Sequence, residues 1–369
     1  SGIVSALKVP SFEGLADDLN GIVSKIVDAS LLTSSSFALK VVIPDGSSTE
    51  TTANALSALV PDLPGAGVDA SAYTQISGTD AELAQLISEL PVLLNANVSA
   101  EITNASVSAA NVVTIIEATG TTGGVDFNAV EDISGEDADV GTILDFARKA
   151  NFGTIDVDLT DTSAVEALNL TDTLTALSGG VITSSTIPTV TGNDAQIGAL
   201  GDQITAGNIA IGNPTIEISG VATVANILKI ATPTSGTITA AIDNTTTIAV
   251  LNTLPAENNA LTIKIAADAE GHNAADITAV DARTTVTVDA SAVTKVSGTS
   301  EQIDAFLIAD VTLPVNYDIS ASGTIAVAKV NEYVTAAGTG SVTAAVSDTA
   351  ANAKDLATVE TDLITVTIT

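Results

Sequence analysis

The chain has 369 residues, of which 46% are hydrophobic and only 2% aromatic, and it contains no Trp, Met or Cys. Its net charge of −33 comes from 44 acidic and 11 basic residues, which excludes nucleic acid as a partner because that binding needs Lys and Arg to neutralise phosphates. The absence of Cys excludes disulfides and thiolate metal sites, and no apolar run reaches the roughly 18 residues of a membrane span.

The first 38 residues differ from the rest and predict a helix. Apolar residues recur with a period of 3.6 from Phe12 to Val27, and Ser11 stands where a helix N-cap is expected. We therefore predict a helix from about 12 to 32. Residues 1–38 are interpreted as an N-terminal helical cap or an assembly segment, because the first coil of a solenoid otherwise exposes its apolar cross-section.

Residues 39–369 repeat a short β-like run, a polar turn and an Ala/Leu-rich helical run. The spacing of the β-like runs averages about 27 residues, as expected for a stacked array of coils. These runs begin near Val41, Val68, Val98, Val125, Ile155, Val181, Ile209, Ile238, Ile263, Val286, Tyr317, Val342 and Ile364.

A second marker has twice that period. The sequence Ile/Val-Ser/Thr-Gly ends at Gly78, Gly135 and Gly192, which are 57 residues apart. An acidic stretch and a helical pattern follow each glycine. We interpret the marker as a turn that occurs in every second coil.

The pattern predicts an α/β fold: a right-handed solenoid of about a dozen strand-turn-helix coils, occupying residues 39–369. A parallel strand pair needs a crossover, which is almost always right-handed, so the strands would form a parallel sheet on one side and the short helices would lie on the other. The alternative is an all-β solenoid or a string of β-sandwiches. The Ala-rich, Leu-spaced segments 81–90 and 350–359 favour the α/β fold.

The array ends in residues 363–369, which predict one bare strand with no helix after it. An uncovered strand promotes aggregation unless another strand pairs with it. We expect either that the protein continues beyond this strand or that the strand docks on a neighbouring subunit.

Catalytic chemistry has little support in the sequence. A single histidine, His272, with no Cys argues against zinc sites and against a Ser/His/Asp triad. We interpret His272 as a turn residue and predict that the protein is not an enzyme. A polysaccharide lyase remains a third hypothesis, although the basic residues are few and scattered.

Carboxylates are the remaining candidates for a site. One predicted column follows the strands, and a second follows the glycine markers on alternate coils. The first column comprises Asp45, Asp161, Asp243 and Asp348, and the second comprises Asp80, Asp137 and Asp194. Helix N-capping is the favoured interpretation, and calcium binding is the alternative. The candidate calcium ligands, from the densest acidic patch, are Asp132, Glu136, Asp137 and Asp139.

Two stretches, 67–79 and 281–299, share the elements Val-Asp-Ala-Ser and Ser-Gly-Thr. In these motifs the chain resembles the large Ala/Thr/Asp-rich repeat proteins of bacterial cell surfaces, of marine and cyanobacterial type, and related phage structural proteins. The resemblance implies a structural role and no catalytic residues. Thr-rich strands such as 284–288 also suggest an ice-binding face, but their threonines do not repeat in register along the sequence.

Taken together, these patterns predict an extracellular structural protein that self-assembles into a surface layer, filament or appendage, on a cell or a virion. We expect a homo-oligomer or polymer, with no nucleic-acid partner and no membrane insertion. The alternative is an adhesin or phage fibre module that binds a receptor or glycan.

Overall fold

The computed structural model describes residues 11–14, 38–41, 50–57, 67–69, 74–89, 98–119, 124–147, 154–177, 179–256 and 259–369. The fold is mixed α/β, in which strands of parallel sheets alternate with helices along the chain. The chain divides into two compact units. The first comprises Ser1–Thr162, Asn169–Ile187 and Gly207–Ile211, and the second comprises Ser163–Leu168, Pro188–Ala206 and Gly212–Thr369.

The first unit contains three parallel sheets. Their strand orders are β1-β2-β4, β3-β5-β6-β8 and β14-β12-β10-β9-β7. The strands are β1 (Ser11–Gly14), β2 (Ala38–Val41), β3 (Glu50–Thr52), β4 (Gly67–Asp69), β5 (Gln75–Gly78), β6 (Ser99–Ile102), β7 (Ser106–Ser108), β8 (Val125–Asp126), β9 (Asp132–Gly135), β10 (Asp156–Leu159), β12 (Ile182–Ser184) and β14 (Ile209–Ile211).

The second unit also contains parallel sheets, with strand orders β11-β13-β15-β16-β17, β18-β20-β22-β23-β24 and β19-β21. The strands are β11 (Val165–Glu166), β13 (Thr189–Asn193), β15 (Thr215–Ala222), β16 (Ile238–Ile242), β17 (Ala260–Thr262), β18 (His272–Asn273), β19 (Val288–Asp289), β20 (Lys295–Thr299), β21 (Val311–Thr312), β22 (Asp318–Ile325), β23 (Val342–Asp348) and β24 (Leu363–Ile368).

Short helices separate the strands. Most of them present a narrow apolar stripe to the core, as Val112 and Ile115 do in α3. The helices are α1 (Ala53–Ser57), α2 (Asp80–Glu89), α3 (Ala109–Thr119), α4 (Asp137–Ala147), α5 (Ala167–Ala176), α6 (Asp194–Thr205), α7 (Val224–Ala231), α8 (Ile248–Leu251), α9 (Ala274–Asp281), α10 (Ser300–Ile308), α11 (Val327–Ala337) and α12 (Ala350–Ala353).

The predicted β-like runs are confirmed, since a strand lies at or within two residues of every predicted start. The structure adds a second strand that the sequence did not predict, directly before the helix of many coils. The glycine marker, predicted as a turn, belongs to this second strand: Gly78 ends β5 and Gly135 ends β9. That prediction was wrong because strand pairing continues up to the helix.

The predicted N-terminal helix is wrong where it can be compared. Residues 12–14 belong to β1, which pairs in parallel with β2 through Phe12 and Leu39. Pairing of backbone groups between strands therefore overrides the helical period of the apolar residues. The rest of the predicted helix, residues 15–32, lies outside the described residues.

Each sheet has one apolar face, which forms the core. In the first unit Ile76 pairs with Ala100 and Ile133 with Val157, and all four side chains are buried. Alternate residues on the same strands are polar and partly exposed. The core is built from Ala, Val, Ile and Leu, which lets helices lie close to the sheet.

The glycine markers permit the closest of these approaches. Each marker glycine faces the first residue of the helix in the preceding coil, and that residue is a fully buried alanine. The pairs are Gly78–Ala53, Gly135–Ala109, Gly192–Ala167 and Gly298–Ala274. A Cβ added to Gly192 would lie 3.2 Å from the Cβ of Ala167, and one added to Gly135 would overlap the Cβ of Ala109. The marker is therefore glycine because the neighbouring helix leaves no room for a side chain.

We expect Gly135→Ala to lower the free energy of unfolding by about 1–3 kcal/mol, the usual cost of overpacking. Chemical denaturation measures this change. The double variant Ala109→Gly/Gly135→Ala should recover much of the loss. The matched control is Gly141→Ala in α4, where an added Cβ meets nothing within 4 Å; it should stabilise the protein by about 0.5–1 kcal/mol. Equal stability of wild type and Gly135→Ala would contradict the proposed contact.

Candidate functional site

The carboxylates of the alternate-coil column lie at the first residue of three helices. Asp80, at the start of α2, is 6% exposed and accepts three hydrogen bonds from the next coil. Its Oδ1 accepts from Asn104 Nδ2 at 2.8 Å, and its Oδ2 accepts from the Ser108 amide at 3.0 Å and from Asn111 Nδ2 at 2.8 Å. The Asp80 amide in turn donates to Asn104 Oδ1 at 3.0 Å. Asp80 thus joins the starts of two successive helices.

The same arrangement recurs in the next two members of the column. Asp137 accepts from Asn169 Nδ2 at 2.7 Å. Asp194 accepts from the Thr223 amide at 3.0 Å and from Asn226 Nδ2 at 2.9 Å. The aspartate and asparagine are 31, 32 and 32 residues apart in the three pairs. We call these Asp80–Asn111, Asp137–Asn169 and Asp194–Asn226 contacts the Asp–Asn pairs.

The column that follows the strands is also occupied by backbone donors. Asp161 accepts from the Asp137 amide at 3.0 Å, and Asp348 accepts from the Val327 amide at 3.1 Å. The Thr245 amide and hydroxyl lower the pKa of Asp243, and the Asn352 side chain leads the contacts that lower the pKa of Asp348. Asp45 lies outside the described residues. These carboxylates therefore act as hydrogen-bond acceptors at turns and helix starts, as the capping interpretation predicted.

The structure separates the four candidate calcium ligands. Asp132, Glu136 and Asp139 line an open groove of 590 Å³ beside β9, together with Ser108, Ser134 and Thr160. The Asp137 carboxylate does not line this groove but accepts the hydrogen bond of the Asp–Asn pair. Among the described residues, no group of three or more His, Cys, Asp or Glu side chains is placed to hold a metal ion. Calcium binding by these residues remains a prediction.

Glu136 and Asp139 occupy the positions where other marker coils carry a capping box. In the α2 coil Thr79 and Glu82 exchange side-chain bonds with each other's amides, and Asn193 and Gln196 do the same in the α6 coil. In the α4 coil both positions are acidic, and Glu136 is exposed. Two ionised carboxylates repel each other where the other coils place one carboxylate or amide beside a hydroxyl or amide.

Asp132, at the start of β9, carries the strongest electrostatic signal in the groove. Burial raises its pKa, and the nearby carboxylates of Asp158 and Asp156 raise it further. Asp132 pairs in register with Asp156 on the adjacent strand, which places like charges side by side. The sequence gave no sign of this pair, because its members are separated by a whole coil.

His272 begins β18 and is buried, so its assignment to a turn was wrong. Its Nε2 lies 2.8 Å from the Ala266 carbonyl oxygen. That contact accounts for one ring nitrogen with a local backbone group, and it gives His272 a structural place beside Val296 of β20.

The chain shows no similarity to a known family: neither family models nor curated proteins give a match. Within the described residues, every helix is too short or too polar to cross a bilayer.

We expect Asp80→Asn to lower the free energy of unfolding by about 1–3 kcal/mol, because an amide group would face donors that need an acceptor. The matched control is Asp172→Asn, which removes the same charge from an exposed position. In a double-mutant cycle measured by denaturant unfolding, Asp80→Asn and Asn111→Ala should be less than additive. Strict additivity would contradict the pairing.

We expect Asp132→Asn to raise the melting temperature at pH 7 by about 1–3 °C, because partly exposed charge pairs contribute about 0.2–1 kcal/mol. The raised pKa of Asp132 means that the folded state binds its proton more tightly than the unfolded state. Wild-type stability therefore falls as pH rises from about 3.8 through the raised pKa, and the gain from Asp132→Asn vanishes below that range. Thermal melts from pH 3 to 7 test this. Glu131→Gln, an exposed neighbour, is the control and should change the melting temperature little.

Proposed function

We propose that this chain is an extracellular structural protein that self-assembles into a surface layer, filament or appendage, and that its coils form a right-handed α/β solenoid. The observation that carries the proposal is the exposed apolar surface of β24. Val366 pairs in register with the buried Val346 of β23, yet it is 40% exposed, and Ile368 is 54% exposed. The face of the sheet that is covered in β23 is therefore uncovered in β24.

The backbone of β24 supports the same interpretation. β24 lies at the edge of its sheet, and no described strand pairs with its outer side. Edge strands with exposed apolar side chains are templates for pairing with another chain. A contact between this edge and a different surface of a second copy would be heterologous, and such contacts build filaments unless they close into a ring.

Charge would set the conditions for assembly. A net charge of −33 repels like copies, and salt shortens the range of that repulsion to about 10 Å at 0.1 M. Polymers are therefore expected to form more readily in salt or with divalent cations than in dilute buffer.

We expect deletion of residues 363–369 to abolish polymers while leaving the circular dichroism of the fold intact. The double variant Val366→Asp/Ile368→Asp should do the same without removing the strand. Its control, Val221→Asp/Val250→Asp, adds the same charge at other exposed apolar positions and should still polymerise. Electron microscopy of purified protein with and without Ca²⁺ is the measurement. Monodisperse wild-type monomers or trimers at all concentrations would refute self-assembly.

The groove beside β9 favours a second candidate function, an adhesin or phage fibre module that binds a glycan. Hydroxyls of Ser108, Ser134 and Thr160 and the carboxylate of Asp132 line it, and such groups hydrogen-bond to sugar hydroxyls. A glycan array probed with the Val366→Asp/Ile368→Asp variant tests this function separately from assembly. Binding that is lost in Asp132→Ala would favour the second candidate.

A further inference from the structure

The chain contains several Asn-x-Ser/Thr sequences, the acceptor motif of N-glycosylation. Three have their asparagine among the described residues: Asn104, Asn169 and Asn244. A fourth, at Asn97, has its asparagine outside them. The motif alone does not distinguish these positions, but the hydrogen bonds of the folded chain do.

Asn104 and Asn169 are engaged in contacts between coils. The Nδ2 of Asn104 donates to Asp80 Oδ1 at 2.8 Å and to the Ser106 carbonyl oxygen at 2.6 Å. The Nδ2 of Asn169, which lies in α5, donates to Asp137 at 2.7 Å. A glycan attached to either nitrogen would replace a hydrogen that bonds to a carboxylate, and its bulk would lie between two coils.

Asn244 lies instead in an exposed turn between β16 and α8. The turn is closed by the Thr246 amide, which donates to the Asp243 carbonyl oxygen at 3.0 Å. The Asp243 carboxylate also holds the Thr245 amide and hydroxyl, both at 2.9 Å. No described residue hydrogen-bonds to the Asn244 side chain or to the Thr246 hydroxyl, the two groups that define the acceptor motif.

We propose that Asn244 is an N-glycan acceptor site of the folded chain. In the transfer, the Asn244 amide nitrogen forms a bond to the anomeric carbon of a lipid-diphosphate-linked oligosaccharide. The bond from that carbon to the diphosphate breaks, the lipid diphosphate leaves, and the amide proton passes to a base of the transferase. The inference rests on the extracellular location in the proposed function, because N-glycans are attached to exported chains.

The test is modification of the folded protein in vitro. The monomeric Val366→Asp/Ile368→Asp variant of the full chain is incubated with a single-subunit oligosaccharyltransferase and a lipid-diphosphate oligosaccharide, and glycopeptides are quantified by mass spectrometry. Occupancy at Asn244 should be at least tenfold higher than at Asn104 or Asn169. Synthetic peptides that span each of the three motifs are the controls, and all three should be modified.

An unmodified Asn244 in the folded protein, with its peptide modified, would overturn the proposal, as would equal occupancy at the three sites. Asn244→Gln and Thr246→Ala should each abolish the modification and leave the melting temperature unchanged. Asn104→Gln should lower the melting temperature, because it removes contacts to Asp80. Because the assay uses monomers, a chain that is modified but never polymerises would refute only the self-assembly function.

Discussion

The fold depends on how closely each coil approaches the previous one. Parallel strands lie about 4.8 Å apart, so a helix that begins directly after its strand is carried against the neighbouring strand end. The glycine and alanine of each marker pair meet at this point, and neither can be larger without displacing the backbone. The scarcity of aromatic residues follows from the same constraint, because thin layers leave little space for rings. Phe306 and Tyr317 are an exception, packed edge to face.

Acidic residues have two distinct physical roles in this chain. Those at helix starts and turns are held by backbone amides and asparagine side chains, which stabilise the ionised form. Those along β9 and β10 lie beside one another, and their mutual repulsion raises the pKa of Asp132. A single large negative charge therefore combines groups that stabilise the fold with groups that oppose it. The groove beside β9 belongs to the second kind.

Much of the fold could be predicted from the sequence, because alternation and period are local properties. The strand starts and the helix at Asp80–Glu89 are examples. The second strands could not be predicted, since Val165–Glu166 is too short to show alternation and a Ser-Gly step resembles a turn. The predicted columns of carboxylates were visible, but their partners lie 24–32 residues away and depend on strand register. For the same reason Asp132 could be chosen as acidic but not as the neighbour of Asp156.

The Asp–Asn pairs also constrain how such a chain can lengthen or shorten in evolution. Each pair joins a marker coil to the coil after it, whereas the glycine–alanine contact joins a marker coil to the coil before it. Duplication of one coil would place two donors or two acceptors next to each other and leave a buried carboxylate such as Asp80 without its asparagine. Duplication of 57 residues keeps both kinds of contact matched. The heritable unit of this architecture is therefore the coil pair, and gene rearrangements that respect it preserve the fold at any length.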